Sequence, residues 1–225
     1  MSLLKIEQDA KKAFDILLHG GIGILPMDVG YSLIGGSIKS LKNIFNTKKR
    51  SKSKLNAMLG NADLHNELHN VSQRGSEIID AICNDYDLPL GVIAPCNNDH
   101  PFLNKINEEV YSLSTLNDTL LMLMNAGPFH KAITDLSYKE GHLLFGSSAN
   151  ISLTGTKFCI EDMQPEILEI ADVIIDYGLM KYNLYGQSST LLNVETLEVF
   201  RVGVCYENIA HILKKHFSIK LPERQ

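Results

Sequence analysis

The chain has 225 residues, of which 44% are hydrophobic and 21% charged, with a formal net charge of -5. That length can bury a sizeable core as one large domain or two small ones, and the acidic balance excludes broad, nonspecific nucleic-acid binding, which needs many cations to displace counterions. No run of about 18 apolar residues exists, and Met1-Ser2-Leu3-Leu4-Lys5-Ile6-Glu7 lacks a signal-type apolar stretch, so neither a membrane span nor secretion is expected and the cytoplasm is the default location.

In chain order, Ile6, Ala10, Phe14 and Leu17 recur at helical spacing, predicting a helix over 6–19 that Gly20-Gly21 stops. Ile22-Gly23-Ile24-Leu25 reads as a strand ended by Pro26, and Leu41, Ile44 and Phe45 mark a helix that delivers the chain to a basic cluster. Further strands are expected at Met58-Leu59, Leu90–Ala94, Leu120–Met124, Leu143–Gly146, Val173–Ile175, Ser189–Leu192 and Leu197–Phe200. Segments 63–70, 75–83, 128–137, 161–170 and 206–216 have helical composition. This alternation, without repeats or a linker, points to an α/β single domain over 1–216, followed by a short, mobile tail over 217–225. Which strands run parallel is not legible.

The basic cluster places five cations in the seven residues Lys48 to Lys54. Lys48, Arg50 and Lys54 in such a loop can converge on a triphosphate, Arg50 offering a planar fork to two oxygens, although a charge run taken alone is more often a solvated loop. The loop has no G-x-x-x-x-G-K-S/T, which excludes a P-loop, and a Rossmann glycine pattern is absent. Ser147-Ser148-Ala149-Asn150 follows an apolar strand, the usual address of a ligand in an open α/β sheet, although turns commonly carry the same residues. Asp28 and Tyr31 follow the first strand in the same manner. His65 and His69 have metal-ligand spacing without the H-E-x-x-H pattern, so no metal site is assigned. Cys83, Cys96, Cys159 and Cys205 are scattered and read as buried or idle thiols.

Together these segments resemble the YrdC-like threonylcarbamoyl-AMP synthases over about residues 10–205. The family's P-T-D-T-x-Y-G-L stands here as Pro26-Met27-Asp28-Val29-Gly30-Tyr31-Ser32-Leu33, and its K-x-R as Lys48 and Arg50. Its S-A-N-x-S is Ser148-Ala149-Asn150-Ile151-Ser152, and its late S-T and R-x-G are Ser189-Thr190 and Arg201-Val202-Gly203. The resemblance implies a twisted mixed sheet with flanking helices around a basic cavity, and an ATP-dependent synthesis of a carbamoyl adenylate for tRNA modification, with bicarbonate as co-substrate and Mg²⁺ beside the phosphates. It implies catalytic and nucleotide roles for Lys48 and Arg50, and nucleotide contacts from Lys54, Ser148, Asn150, Ser189 and Arg201. It also implies an amino-acid or amine pocket formed by Met27, Asp28, Val29, Tyr31 and Thr119. A double-stranded-RNA-binding role has been attached to the same surface of the family.

The departures are specific. Met27 and Val29 replace two threonines, and in Thr119-Leu120-Leu121-Met122-Leu123-Met124 the family's strand arginine is Leu123. The chain therefore reads as a divergent member with an altered amino-acid pocket. The alternative is a non-catalytic nucleotide- or double-stranded-RNA-binding protein of the same fold.

Overall fold

The computed structural model describes residues 2–49 and 55–223. The first third of the chain forms α1 (Leu3–Leu18), β1 (Ile22–Leu25), β2 (Ser32–Gly35), α2 (Ile38–Thr47), β3 (Ala57–Leu59), α3 (Ala62–Leu68) and α4 (Gln73–Asp80). There follow β4 (Leu90–Pro95), α5 (Pro101–Asn104), α6 (Glu108–Ser112), β5 (Thr115–Leu116), β6 (Thr119–Met124) and α7 (Pro128–Glu140). The chain then forms β7 (Phe145–Ser148), α8 (Pro165–Glu169), β8 (Val173–Ile174), β9 (Leu191–Asn193), β10 (Val199–Arg201) and α9 (Tyr206–Phe217). The strands make one mixed sheet in the order β10-β9-β4-β6-β3-β7-β2-β1-β8, with β5 paired to β6. The pairs β1/β8, β3/β6 and β4/β9 are parallel, and the others are antiparallel.

Because side chains alternate along a strand, each strand serves two faces. Ile22, Ile24, Leu33, Met58, Val92, Leu120, Met122, Phe145 and Leu192 join one large core that includes residues of α3, α4 and α9. Leu25, Ile34, Leu59 and Leu123 point the other way, toward α1 and α7. Those two helices pack against each other. They cover only part of their face, and the uncovered part is the cavity described below.

Local sequence explains the ends of these elements. Ser37 and Ser40 form a reciprocal capping box on α2, satisfying backbone N–H groups that the first turn leaves without partners. Pro128 starts α7, where its fixed φ suits the first turn and no N–H is needed, and Gly141 ends it at φ +60°. Among the described residues no helix is long and apolar enough to cross a membrane.

Several parts of the chain depart from the sequence expectation. β2 and the short helices α5 and α6 were not foreseen: β2 is four residues long and follows a turn, and α5 and α6 are too short to show a periodicity. The segment after α9 was expected to be a mobile tail, yet Ile219 and Leu221 are buried in the main core and the Tyr206 hydroxyl donates to Pro222 O. Two aliphatic side chains at alternate positions suffice to pin it. His65 and His69 are also buried: His69 Nε2–H donates to Leu120 O at 3.1 Å, which leaves its Nδ1 to accept from His65 Nδ1–H at 2.9 Å. Burial pushes the pKa of both below the ordinary histidine value, so the pair is neutral and structural.

Candidate functional site

The uncovered sheet face forms the floor of a cavity of about 780 Å³, a volume within the range of small-molecule and cofactor sites. Its floor residues are in register across neighbouring strands. Leu191, Gly91, Leu123 and Leu59 form one row, and Asn193, Ile93 and Leu121 the next. On the far side Ser32 lies opposite Ser148, and Ile34 opposite Gly146. A Cβ at Gly91 would come within 2.2 Å of Leu191 Cδ2, and one at Gly146 within 2.1 Å of Leu33 O. At Gly146 the crowding atom is backbone, so glycine is required there, whereas at Gly91 it is the movable end of a leucine side chain.

The walls carry the polar groups. On one side α2 ends at Lys48, whose carbonyl accepts from Ser152 N–H at 3.0 Å. Lys48 is almost fully buried (3% exposed), and its ammonium donates to Ser148 O and, at 2.7 Å, to Asn150 O. Asn150 Oδ1 accepts from the Ser148 hydroxyl, and Asn150 Nδ2 donates to Ile151 O at 2.6 Å. Lys48 thus fastens the Ser148–Ser152 loop while lining the cavity.

Ser189 and Arg201 stand at the opposite side. Arg201 Nε–H donates to Ser189 O at 2.9 Å and a terminal N–H to Ser189 Oγ at 3.2 Å. These bonds use two of the guanidinium's five donors and aim the fork along the wall. Although Arg201 is exposed at the rim, surrounding atoms desolvate the charge and lower its pKa. The ordinary value is so high that it remains a cation at neutral pH. From β7 to β9 is four strand spacings, roughly 19 Å along the sheet.

The structure therefore brings Lys48, Ser148, Asn150, Ser189, Arg201 and Thr119 to one cavity. Arg50 and Lys54 lie outside the described residues, but Lys48 and Leu55 on either side of that stretch both line the cavity. Among the described lining residues the charges are Lys48, Arg201 and one acid, Glu198.

Met27, Asp28, Val29 and Tyr31 are placed elsewhere. Met27 and Val29 are buried in the core beneath α1 and α7. The Tyr31 hydroxyl lies 2.9 Å from Asp176 Oδ1 and from Gly178 O and accepts from Tyr177 N–H at 3.0 Å. Burial raises its pKa. Asp28 lies 3.6 Å from Lys181 Nζ, and burial raises its carboxyl pKa while Lys181 opposes the shift. The physical reason is the turn between β1 and β2: it closes against residues 126–128 and 176–182, with Asp28 N–H donating to Ala126 O and Tyr182 N–H to Asp28 O.

A sequence profile for the Sua5_yciO_yrdC family, described as "Telomere recombination", matches residues 15–203. The chain belongs to the Sua5/YciO/YrdC family. No curated protein matches it by sequence. Among solved structures, this family member resembles a hypothetical protein from Streptococcus mutans with a TM-score of 0.72 at 18% identity, covering 93% of this chain and 92% of the other. It resembles P. abyssi Sua5 complexed with L-threonine with a TM-score of 0.70 at 18% identity, covering 95% of this chain and 58% of that one. It also resembles HypF in a phosphate- and nucleotide-bound form with a TM-score of 0.65 at 16% identity, covering 88% of this chain and 29% of that one. These likenesses show the fold.

Sequence reasoning missed most of this Sua5/YciO/YrdC-family floor: Leu59, Ile93, Leu121 and Leu191 were read only as strand core. The usable signal was period two from Thr119, which puts Leu121 and Leu123 on its face. Phe200, exposed at the rim, and Asn117 gave no such signal.

Proposed function

We propose that this cavity binds ATP and a small amine, and that the protein is a carbamoyl-adenylate synthase of the threonylcarbamoyl-AMP type, tied through its family to tRNA modification. The observation that carries the reading is the convergence of the Lys48–Ser148–Asn150 wall and the Ser189–Arg201 wall on one nucleotide-sized cavity. The first wall already joins Lys48 to residues 148–150, and its meeting with the second around a glycine-relieved floor is what a ligand site requires.

The chemistry needs no nucleophilic side chain. The amine would attack bicarbonate to give a carbamate and water, and the carbamate oxygen would then attack the α-phosphorus of ATP, forming the mixed anhydride and releasing pyrophosphate. Negative charge builds on the phosphoryl oxygens in that second step, and fixed cations such as Arg201 lower its cost. The buried Lys48 holds the Ser148–Asn150 loop in shape, so the loop need not reorganise as charge develops. Mg²⁺ bound with the nucleotide would have Glu198 as the one described carboxylate in the cavity lining. That suits an ion that takes its oxygens from phosphates and water.

Support from the relatives is chemical. P. abyssi Sua5 is described with L-threonine and HypF with nucleotide, which are the two ligand classes this cavity is proposed to take. A second reading, nucleotide binding without turnover, is favoured by one observation: the Lys48 ammonium is held by loop oxygens.

The deciding experiment measures ATP binding by calorimetry and pyrophosphate release with bicarbonate and each of the amino acids. Binding that weakens at least tenfold in Arg201→Ala, together with amine-dependent pyrophosphate, supports the synthase. Binding with no pyrophosphate for any amine supports the second reading. No ATP binding at millimolar concentration refutes both.

A further inference from the structure

The floor between the two walls has a chemistry of its own. Leu59, Ile93, Leu121, Leu123 and Leu191 form a continuous aliphatic surface on adjacent strands. Leu121 and Leu191 are half-buried and are its most accessible members, whereas Leu59, Ile93 and Leu123 lie deep. Two polar groups at its margins are engaged within the protein: the Thr119 hydroxyl donates to Leu116 O at 2.7 Å, and Asn193 Oδ1 accepts from Glu195 N–H and Thr196 N–H, each at 3.0 Å. A ligand hydroxyl laid on these five aliphatic side chains gives up water and gains no hydrogen bond from them, whereas a methyl group gains by leaving water.

We propose that the amine co-substrate bears an aliphatic side chain that rests on the Leu59–Ile93–Leu121–Leu123–Leu191 floor, so that the site prefers a branched aliphatic amino acid over a hydroxylated one. This rests on the nucleotide reading above for the identity of the partner ligand, but the floor's preference is a property of these side chains. L-valine and L-threonine make the sharpest pair, because they share a shape and differ by a methyl against a hydroxyl. A hydrophobic pocket separates such isosteres by about tenfold to a hundredfold.

The test is calorimetric titration of the full chain with valine, leucine and threonine, each with and without saturating ATP and Mg²⁺. The expected result is valine and leucine binding at least tenfold tighter than threonine. In Leu121→Ser, and independently in Leu191→Ser, valine affinity should fall at least fivefold and the preference for valine over threonine should narrow. Equal or tighter binding of threonine overturns the proposal, as does the absence of binding by all three amino acids in both conditions. Failure of ATP to bind, with the valine preference intact, refutes the nucleotide reading and leaves the floor assignment standing.

Discussion

Replacing Lys48 by methionine keeps most of the aliphatic stem and removes the ammonium that ties α2 to the Ser148–Ser152 loop. Two strong charge-assisted bonds disappear, to Ser148 O and Asn150 O, along with a weaker approach to Asn150 Oδ1 at 3.5 Å. At about 1.5–3 kcal/mol for each strong bond, and with the cost of burying the charge returned, a net loss of about 3 kcal/mol follows. In a domain of this size that lowers the melting temperature by about 6–12 °C. Circular dichroism melts of wild type, Lys48→Met and Lys48→Arg measure it. Arginine keeps the charge but brings a planar fork to a site shaped for a point donor, so its melt should fall between the other two. A Lys48→Met protein melting within about 1 °C of wild type would show that the ammonium contributes nothing to the loop, and the account of this wall would be wrong.

Three other outcomes follow from the geometry. His130 is fully buried, donates to Leu123 O at 3.0 Å and has its pKa lowered to about 4 by burial. Its folded value lies below the unfolded one of about 6.5, so the stability it supports is complete above that pH and falls by about 3 kcal/mol as pH drops to 4. Urea melts across pH 4–7 should show a shallower acid decline in His130→Gln, with the remaining slope carried in part by His65 and His69. Gly146→Ala places a Cβ 2.1 Å from Leu33 O, and separating β2 from β7 to relieve it should cost about 3 kcal/mol, read as a drop in the urea midpoint. Truncation after Phe217 removes the buried Ile219 and Leu221, about 3–5 kcal/mol of apolar burial, and should lower the melting temperature by about 6–20 °C.

Much of the fold was legible because its longer elements have strong periodicity. α1 shows Ile6, Ala10, Phe14 and Leu17 on one stripe, and all four are buried. β4 and β6 are continuous apolar runs, and both became central strands. β2 escaped because Ser32-Leu33-Ile34-Gly35 is short and begins with a serine that faces the cavity rather than the core. The cavity was legible only where chemistry left a polar mark. Ser148, Asn150, Ser189 and Arg201 stood out, while the leucines between them looked like any strand interior, since an apolar side chain facing a hollow and one facing a core are identical in sequence. The Met27–Tyr31 turn misled for the opposite reason. Its Asp28 and Tyr31 look like ligand contacts, yet their partners are Lys181, Asp176 and Gly178, about 150 positions away, a closure no local pattern announces.

Every strand beneath the hollow is two-sided, with Met122 between Leu121 and Leu123, and Val92 between Gly91 and Ile93. Exchanging an upward-facing residue leaves its downward-facing neighbour untouched, so selectivity can drift while the scaffold stays put. A chain built this way can exchange cavity-facing residues at alternate positions while its packing residues keep their places.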